Sequence, residues 1–178
     1  LYAEHLGRSL GQPFTVENKA GASGNIGAEF VAKAPADGYT IFYAYNQIPT
    51  MNPHLFSKLG YDAVKDLAPV TMIARSPSML AVPLSSPART LKDFVAMVKA
   101  EPGKHNIGNY GTGTSSHIQA ALLNQQAGLD LVYVPFQGAA PLVTNLVGGQ
   151  LTSAFVDSAS ARAQLANMRP LAVTGTRR

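Results

Sequence analysis

Apolar residues follow two periods along this chain, and segments of the two kinds alternate. Helical spacing is clearest after Thr90-Leu-Lys-Asp93, a capping box followed by a stripe of Leu91, Phe94, Val95 and Val98. Helices are predicted at about residues 1–10, 25–34, 91–100, 118–128, 140–147 and 159–168. Strands are predicted at residues 14–18, 39–45, 70–74, 79–83, 106–110, 131–136, 151–156 and 171–174.

This alternation is typical of an α/β protein with mostly parallel sheets and right-handed crossovers. One sheet has room for about eight strands, but the linker Arg75-Ser-Pro-Ser78 marks a boundary between two lobes. In the second predicted helix, Ile26, Phe30 and Val31 lie on one stripe, which predicts a buried face.

The stretch Asn109-Tyr-Gly-Thr-Gly-Thr-Ser-Ser-His117 connects a β-prone run to an apolar-periodic run. Its glycines and hydroxyl residues predict a strand, a tight turn and a helix N-terminus rich in capping side chains. Unpaired backbone N–H groups in such a turn, at the positive end of a helix dipole, suit an anion. An ordinary βα turn with a good N-cap has the same pattern, because Gly, Ser and Thr are common in turns.

The distribution of charged residues indicates which groups in this turn would hold an anion. The formal net charge is +4, and the 14 Lys and Arg residues form no long basic run, so no nucleic-acid partner is expected. No Lys or Arg occurs between Lys104 and Arg162. We therefore expect an anion in the turn to be held mostly by backbone N–H groups and hydroxyls, with His105 or His117 as further donors.

Other polar residues follow predicted strands, where open α/β sheets bind ligands. They are Asn46-Gln47, Gln137-Gly138 and Asp157, and each also has a turn or capping explanation. Asp157 is either the N-cap of the next helix or a ligand contact. A bare carboxylate repels an anion, so a ligand at Asp157 would present a donor or bind through water.

Several catalytic and cofactor signatures are missing from the sequence. The chain has no cysteine, which excludes disulfides and thiol chemistry, and the four histidines lack metal-ligand spacing, so neither metal nor cofactor is expected. There is no G-x-S-x-G elbow or P-loop, and Ser115, Ser116 and His117 are adjacent rather than arranged as a triad. The apolar runs are too short to span a bilayer.

Gly21, Gly24 and Gly27 have the spacing G-x-x-G-x-x-G rather than the dinucleotide fingerprint G-x-G-x-x-G. No acidic residue ends a second strand at the required distance. A tight turn with close helix–strand packing at Gly27 explains the glycines better, and a nucleotide-binding Rossmann-type enzyme stays a weaker alternative.

Several sequence motifs occur along the chain in the same order as in a known family. They are Glu17-Asn-Lys-Ala-Gly-Ala-Ser-Gly-Asn-Ile-Gly27, Ala34-Pro-Ala-Asp-Gly-Tyr-Thr40, Asn52-Pro53, Pro69-Val-Thr71, Thr90-Leu-Lys-Asp-Phe94, Gly111-Thr-Gly-Thr-Ser-Ser-His117, Val134-Pro-Phe-Gln-Gly138 and Leu171-Ala-Val-Thr174. Together they resemble the substrate-binding receptors of tripartite tricarboxylate transporters, also called the Bug family, over the entire chain.

The resemblance implies a periplasmic receptor with a type II periplasmic binding protein-like α/β fold, and not an enzyme. Each of its two lobes would have a mostly parallel sheet flanked by helices. The receptor would bind a small carboxylate in the interlobe cleft and deliver it to membrane permease subunits. The implied ligand contacts are Asn46, Gln47, Tyr110, Thr112, Gly113, Thr114, Ser115, Gln137, Gly138 and Asp157.

The resemblance also implies departures from the family. The family's first strand and glycine-rich loop would precede Leu1, and its C-terminal segment would follow Arg178. We therefore expect an incomplete first lobe at residues 1–76, a second lobe at 77–168 and a crossover strand at 169–178 returning toward the first lobe. Exposed apolar sheet edge in the first lobe would favour self-association. A truncated receptor without binding activity is the alternative.

Two positions bear on the ligand. Gln137 stands where the family often has Lys, and Tyr110 stands where a small residue is usual. Both indicate a ligand that is less charged or aromatic, with Tyr110 against its ring.

Overall fold

The computed structural model describes residues 2–175 of the chain. The helices are α1 (Tyr2–Leu10), α2 (Asn25–Ala32), α3 (Gln47–Thr50), α4 (Asn52–Leu55), α5 (Leu91–Ala100), α6 (Ser115–Ala127), α7 (Ala139–Val147) and α8 (Ser158–Arg162). The strands are β1 (Ser78–Pro83), β2 (His105–Asn109), β3 (Leu131–Pro135), β4 (Ser153–Asp157) and β5 (Met168–Val173). Short 3₁₀ turns lie at Ala22–Gly24 and Leu165–Asn167.

The strands form one five-stranded sheet in the order β3-β2-β4-β1-β5. β2 runs parallel to β3 and β4, whereas β1 is antiparallel to β4 and β5. The α/β class is therefore confirmed, and the sheet is mixed because β1 runs opposite to the other four described strands. Alternation of strands and helices along the sequence does not record strand direction, which is why the reversed β1 could not be predicted.

The segment predicted as a crossover strand begins inside this sheet. β5 pairs antiparallel with β1, from Met79↔Val173 to Pro83↔Met168. Residues 176–178 lie outside the described residues, so a return toward the first lobe stays a prediction, as does the division into lobes.

Side chains alternate along the central strands, so the sheet has an apolar core on each face. The core of one face joins the strands to α5 and α6 through Leu80, Val82, Phe94, Val98, Ile107, Ala120 and Phe155. The core of the other face joins them to α7 and α8 through Ala81, Leu142, Leu146, Ala154, Val156 and Ala161. These two cores hold helices against both faces and fix where the strands end.

Helix ends with local sequence signals are confirmed. Asp93 N–H donates to Thr90 Oγ1 at 3.1 Å and Thr90 N–H donates to Asp93 Oδ2 at 2.9 Å, which is the predicted capping box. α6 ends at Gly128, whose φ of 60° and ψ of 51° are left-handed. The last predicted helix is shorter than expected, because α8 ends at Arg162 and a 3₁₀ turn follows.

Residues 2–77 contain helices and irregular segments, with no strand in this part of the described chain. The strands predicted at residues 14–18, 39–45 and 70–74 are therefore wrong. Val16, Tyr39 and Val70 in those runs are 66%, 88% and 87% exposed. A β-prone run becomes a strand only when a neighbouring strand pairs with its backbone groups, and no described segment does so here.

α2 packs through small residues rather than through its predicted apolar stripe. Ile26 and Phe30 are 50% and 47% exposed, while Gly27 and Ala28 are buried. A Cβ added at Gly27 would lie 3.3 Å from Phe42 Cε2, so α2 packs closely at Gly27 as predicted, but against an irregular segment and not against a strand. The core of this part is a small cluster of Ala28, Ile48, Tyr61 and Ala63.

Candidate functional site

Three strands end side by side at one edge of the sheet. β3 and β4 flank β2 and run parallel to it, so Asn109, Pro135 and Asp157 end their strands at the same edge. Ser78, at the start of antiparallel β1, pairs with Asp157 there. This order confirms that the turns after residues 110, 136 and 156 cluster, as expected for a ligand-binding edge of an open α/β sheet.

The predicted turn forms the connection between β2 and α6, here called the β2–α6 corner (residues 110–117). Gly111 and Gly113 have φ values of 118° and 80°, which glycine adopts without a Cβ clash. The carbonyl oxygen of Gly111 accepts hydrogen bonds from Thr114 N–H at 3.2 Å and Thr114 Oγ1–H at 2.7 Å. These two hydrogen bonds fix the carbonyl oxygen of the peptide group between Gly111 and Thr112.

Two further hydrogen bonds fix the end of β2. Tyr110 N–H donates to Ser116 Oγ at 2.9 Å, and Gly111 N–H donates to Asn109 Oδ1 at 2.9 Å. Asn109 and Ser116 are 1% and 3% exposed. The buried side chains thus occupy the inward-facing donors and hold the corner in one conformation.

Backbone N–H groups at the start of α6 are left without an acceptor among residues 2–175: those of Thr112, Ser115, Ser116 and His117. Thr114 is the N-cap of α6, but its hydroxyl donates to Gly111 O instead of capping the helix. The first turn of α6 therefore keeps its free donors at the positive end of the helix dipole. Thr112 is exposed and Ser115 is half-buried, so a ligand reaches both from solvent.

His117 closes the corner from the helix side. Its Nδ1 accepts the N–H of Gly113 at 3.1 Å, which requires Nδ1 to carry no proton. Its ring lies edge-on to Tyr133, with ring centroids 5.2 Å apart and an interplanar angle of 89°. His117 thus orients the turn, and the N–H of Gly113 is engaged inside the protein.

Asp157 caps α8 and holds Tyr110. Its Oδ1 accepts Ser160 N–H at 2.8 Å, and its Oδ2 accepts Ser160 Oγ–H at 2.7 Å and Tyr110 O–H at 2.9 Å. The Tyr110 oxygen also accepts Asp157 N–H at 3.0 Å. Asp157 is therefore the N-cap of α8, which is one of its two predicted roles, and both of its carboxylate oxygens already accept hydrogen bonds. A direct ligand contact at Asp157 stays a prediction.

These contacts shift both acid groups away from their ordinary pKa values. Burial by itself would raise the pKa of Asp157, but hydrogen bonds from Ser160, Tyr110 and the Ala159 backbone lower this pKa below the usual 3.8. Burial and then the Asp157 charge raise the pKa of the Tyr110 hydroxyl, while the Asp157 backbone N–H opposes them. At neutral pH the pair is therefore a phenol that donates to a carboxylate.

Segments from the first 77 residues lie across the β2–α6 corner. Ser23 Oγ–H donates to Thr112 O at 2.6 Å, and Ser115 Oγ–H donates to Asn46 Oδ1 at 3.4 Å. A Cβ added at Gly113 would lie 2.7 Å from Leu55 Cδ1, so Leu55 packs directly on this glycine. Together they form a second wall facing the corner.

Ser23 and Leu55 were not predicted as parts of the site. The local signal for Ser23 is the run Gly21-Ala-Ser-Gly24, because glycines on both sides of a serine mark a backbone that needs positive φ. Leu55 gives no local signal, since its partner is 58 residues away in sequence at Gly113.

The remaining candidates are placed differently. Gln137 is exposed, and exposed Gly138, with φ of 105°, is the N-cap of α7 without a side-chain cap. Asn46 is exposed and reaches Ser115, whereas Gln47 is 9% exposed in the packing of α3. The structure thus brings Asn46 to the corner and places Gln137 and Gly138 at the next strand end.

Residues 2–175 contain no cluster of three His, Cys, Asp or Glu side chains placed to hold a metal ion. Over the same residues, none of the helices combines the length and apolar character that crossing a membrane requires. Two surface depressions, of about 570 and 480 Å³, lie beside α2 and α1. The β2–α6 corner lines neither of these depressions.

A comparison with known proteins shows which family the chain matches. The family model described as the tripartite tricarboxylate transporter family receptor matches residues 1–178. The chain belongs to this family. Members of this receptor family are periplasmic solute receptors and not enzymes. A relative encoded in the tcbD–tcbE intergenic region of a Pseudomonas strain is 34% identical over 92% of the chain, which spans about half (48%) of that relative.

Solved receptors have the same fold over nearly the entire chain. The R. palustris protein Rpa4515, solved with adipate, is 32% identical with a TM-score of 0.94 over 99% of this chain and 60% of its own. MatC (Rpa3494) from Rhodopseudomonas palustris, solved with malate, is 29% identical with a TM-score of 0.89 over 99% and 60%. The type II periplasmic binding protein-like fold is therefore shown, and the chain corresponds to about three-fifths of these receptors.

Proposed function

We propose that the chain binds a small carboxylate at the β2–α6 corner and serves as the receptor of a tripartite tricarboxylate-type transporter. The observation that carries the proposal is the set of N–H groups at the start of α6 without an acceptor among residues 2–175, of which those of Thr112 and Ser115 belong to an exposed and a half-buried residue. The segment between Lys104 and Arg162 has no Lys or Arg to compete with them for an anion. Adipate and malate in the two solved relatives are both small dicarboxylates.

One carboxylate group of the ligand would accept the N–H groups of Thr112 and Ser115. Hydrogen bonds from neutral donors to a carboxylate are charge-assisted and shorter than bonds between neutral groups. The helix dipole of α6 adds to this attraction within its first turn. The hydroxyl of Thr112 would be a further donor, and that of Ser115 would become one on giving up its 3.4 Å hydrogen bond to Asn46. Gly113 and Thr114 shape the turn through their contacts with His117 and Gly111.

The rest of the ligand would extend along the strand ends. The side-chain amide of Gln137 and the N–H of Gly138 lie at the start of α7, where a second polar group of the ligand would bind. Asn46 and Gln47 would contribute from the facing segment, Asn46 directly and Gln47 by supporting α3. Tyr110 and Asp157 would form the floor between these two ends, so a ring or an alkyl chain packs on Tyr110.

Delivery of the ligand would follow from closure of the two lobes by a hinge motion. The closed receptor would then dock on the permease subunits of the transporter in the periplasm. The family supports this role, and the hydrogen bonds that fix the β2–α6 corner support a preformed binding surface there. Neutral donors give moderate affinity, which allows release at the permease.

Isothermal titration against small carboxylates, beginning with adipate and malate, tests the proposal. At least one is expected to bind the wild-type protein, and no binding across the panel would contradict the carboxylate function.

Two variants at Ser115 separate the contribution of its backbone N–H to binding from that of its hydroxyl. Ser115→Ala removes the hydroxyl and keeps the N–H, whereas Ser115→Pro removes both. Proline is favoured at the first helical position, and Thr114 already has the extended φ of −73° and ψ of 162° that precede proline. We expect Ser115→Pro to bind about tenfold or more weakly than Ser115→Ala, with a similar melting temperature. Equal affinities would show that the amide at residue 115 does not hold the ligand.

A further inference from the structure

The segment Gly21–Gly24 has a backbone conformation that only a strong constraint maintains. Its four residues have positive φ values of 119°, 47°, 54° and 89° in order. Ala22 and Ser23 carry a Cβ, which makes this region of φ and ψ sterically unfavourable for them. Strained residues of this kind persist where the surrounding structure fixes them, and they cluster at functional sites.

A buried polar cluster provides that constraint. Asn52 is 0% exposed, and its Nδ2 donates to Ser23 O at 3.2 Å and to Asn25 Oδ1 at 2.6 Å. Tyr61 O–H donates to the same Asn25 Oδ1 at 2.7 Å. A Cβ added at Gly24 would lie 3.0 Å from Ile48 Cδ1, so packing also fixes the segment.

The same cluster leaves one buried atom unsatisfied. Asn52 Oδ1 has no hydrogen-bond partner among the described residues. A buried polar atom without a partner is destabilising and rare, so its presence needs a reason other than stability. The Asn52 amide instead orients the Ser23 carbonyl and, with it, the Ser23 side chain.

Ser23 acts on the β2–α6 corner through one peptide group. Its hydroxyl donates to the carbonyl oxygen of Thr112 at 2.6 Å, across 89 residues of sequence. The N–H of the same peptide, at Gly113, donates to His117 Nδ1 at 3.1 Å. The Thr112–Gly113 peptide is therefore held at both of its polar ends, by Ser23 on one side and His117 on the other.

We propose that Ser23 is a positioning residue for the carboxylate site, which it serves by fixing the Thr112–Gly113 peptide. With this peptide fixed, the free N–H groups of Thr112 and Ser115 keep the directions in which they meet a carboxylate. A preorganised pair of donors loses less conformational freedom on binding, and it therefore binds more tightly than a mobile pair. This role rests on the proposed carboxylate function.

Glycine substitutions separate the hydroxyl from the strained backbone. Ser23→Gly removes the hydroxyl and relieves the strain, because glycine adopts this conformation freely. Ala22→Gly relieves comparable strain next to it and leaves the Ser23 hydroxyl in place. We expect Ser23→Gly to bind adipate or malate about five- to tenfold more weakly than the Ala22→Gly control, with both variants melting at or above the wild-type temperature. A purely structural role predicts equal affinities.

Amide hydrogen exchange tests the positioning in the ligand-free protein. The Gly113 N–H should exchange about five- to tenfold faster in Ser23→Gly than in wild type, and at the wild-type rate in Ala22→Gly. Unchanged Gly113 exchange in Ser23→Gly would overturn the positioning role, whatever the titration shows. If wild type binds no carboxylate while exchange changes as expected, the proposed ligand class is wrong and the fixed peptide is retained.

Discussion

At the scale of single residues, Asp157 shows how a polar side chain at a strand end is used inside the protein. It was a candidate ligand contact because of its place after β4, and the structure gives it three side-chain and backbone donors from Ser160 and Tyr110. Those donors stabilise the ionised carboxylate and lower its pKa below 3.8. Asp157 therefore links the start of α8 to the floor of the proposed site.

We expect Asp157→Asn to lower the free energy of unfolding by about 0.5–1 kcal/mol near pH 7, because asparagine still caps the helix but its neutral amide accepts weaker hydrogen bonds from Tyr110 and Ser160 than the carboxylate does. A lowered pKa stabilises the folded state above the unfolded value and ceases to do so as pH falls through the folded value. The difference between wild type and Asp157→Asn should therefore shrink below about pH 4.

Urea denaturation at several pH values measures this difference. Exposed Asp130→Asn is the control, and we expect it to have little effect. A difference that stays constant from neutral to strongly acidic pH would show that the Asp157 charge contributes nothing.

At the scale of elements, the fold was predictable where the signal is local. The capping box of α5, the end of α6 at Gly128 and the turn after β2 depend on neighbouring residues, and each was predicted. Pairing is not local, so the runs at 39–45 and 70–74 were predicted as strands without a partner to form one. The Ser23–Thr112 contact has the same origin, since no pattern within a window of sequence relates residues so far apart.

Gly108 in β2 determines how closely α7 packs on the sheet. A Cβ added there would lie 2.6 Å from Leu151 Cδ1 and 3.1 Å from Leu142 Cδ1. We expect Gly108→Ala to destabilise the protein by about 1–3 kcal/mol through overpacking, measured by urea denaturation. Adding Leu151→Val should recover part of this loss, because it shortens the side chain nearest the new methyl group. Strictly additive effects would contradict direct contact between the two positions.

At the scale of the whole molecule, apolar exposure is uneven. Fifteen of the twenty-one exposed large hydrophobic residues in the described chain precede Ser78, although this part contains less than half of it. The sheet with its two cores lies after that point, and the first part has a single small cluster. Exposed apolar surface of this extent favours association.

We expect the 178-residue chain to self-associate in a concentration-dependent way. The double variant Ile41→Lys with Tyr45→Lys, at positions 57% and 70% exposed, should reduce association. Leu165→Lys, at a position 47% exposed after the sheet, is the control and should not. Light scattering after size-exclusion chromatography gives the mass, and a monomer at every concentration would rule this expectation out.

The β2–α6 corner lies between Lys104 and Arg162, an interval without any Lys or Arg. The lack of cationic side chains there affects how a ligand would reach the corner. Aligned backbone dipoles attract an anion only within about the first turn of a helix, whereas an exposed charge is felt over about 8 Å in physiological salt. The corner would therefore capture its ligand on contact and would not draw it from a distance. The attraction that the corner itself exerts on a carboxylate would therefore depend little on ionic strength.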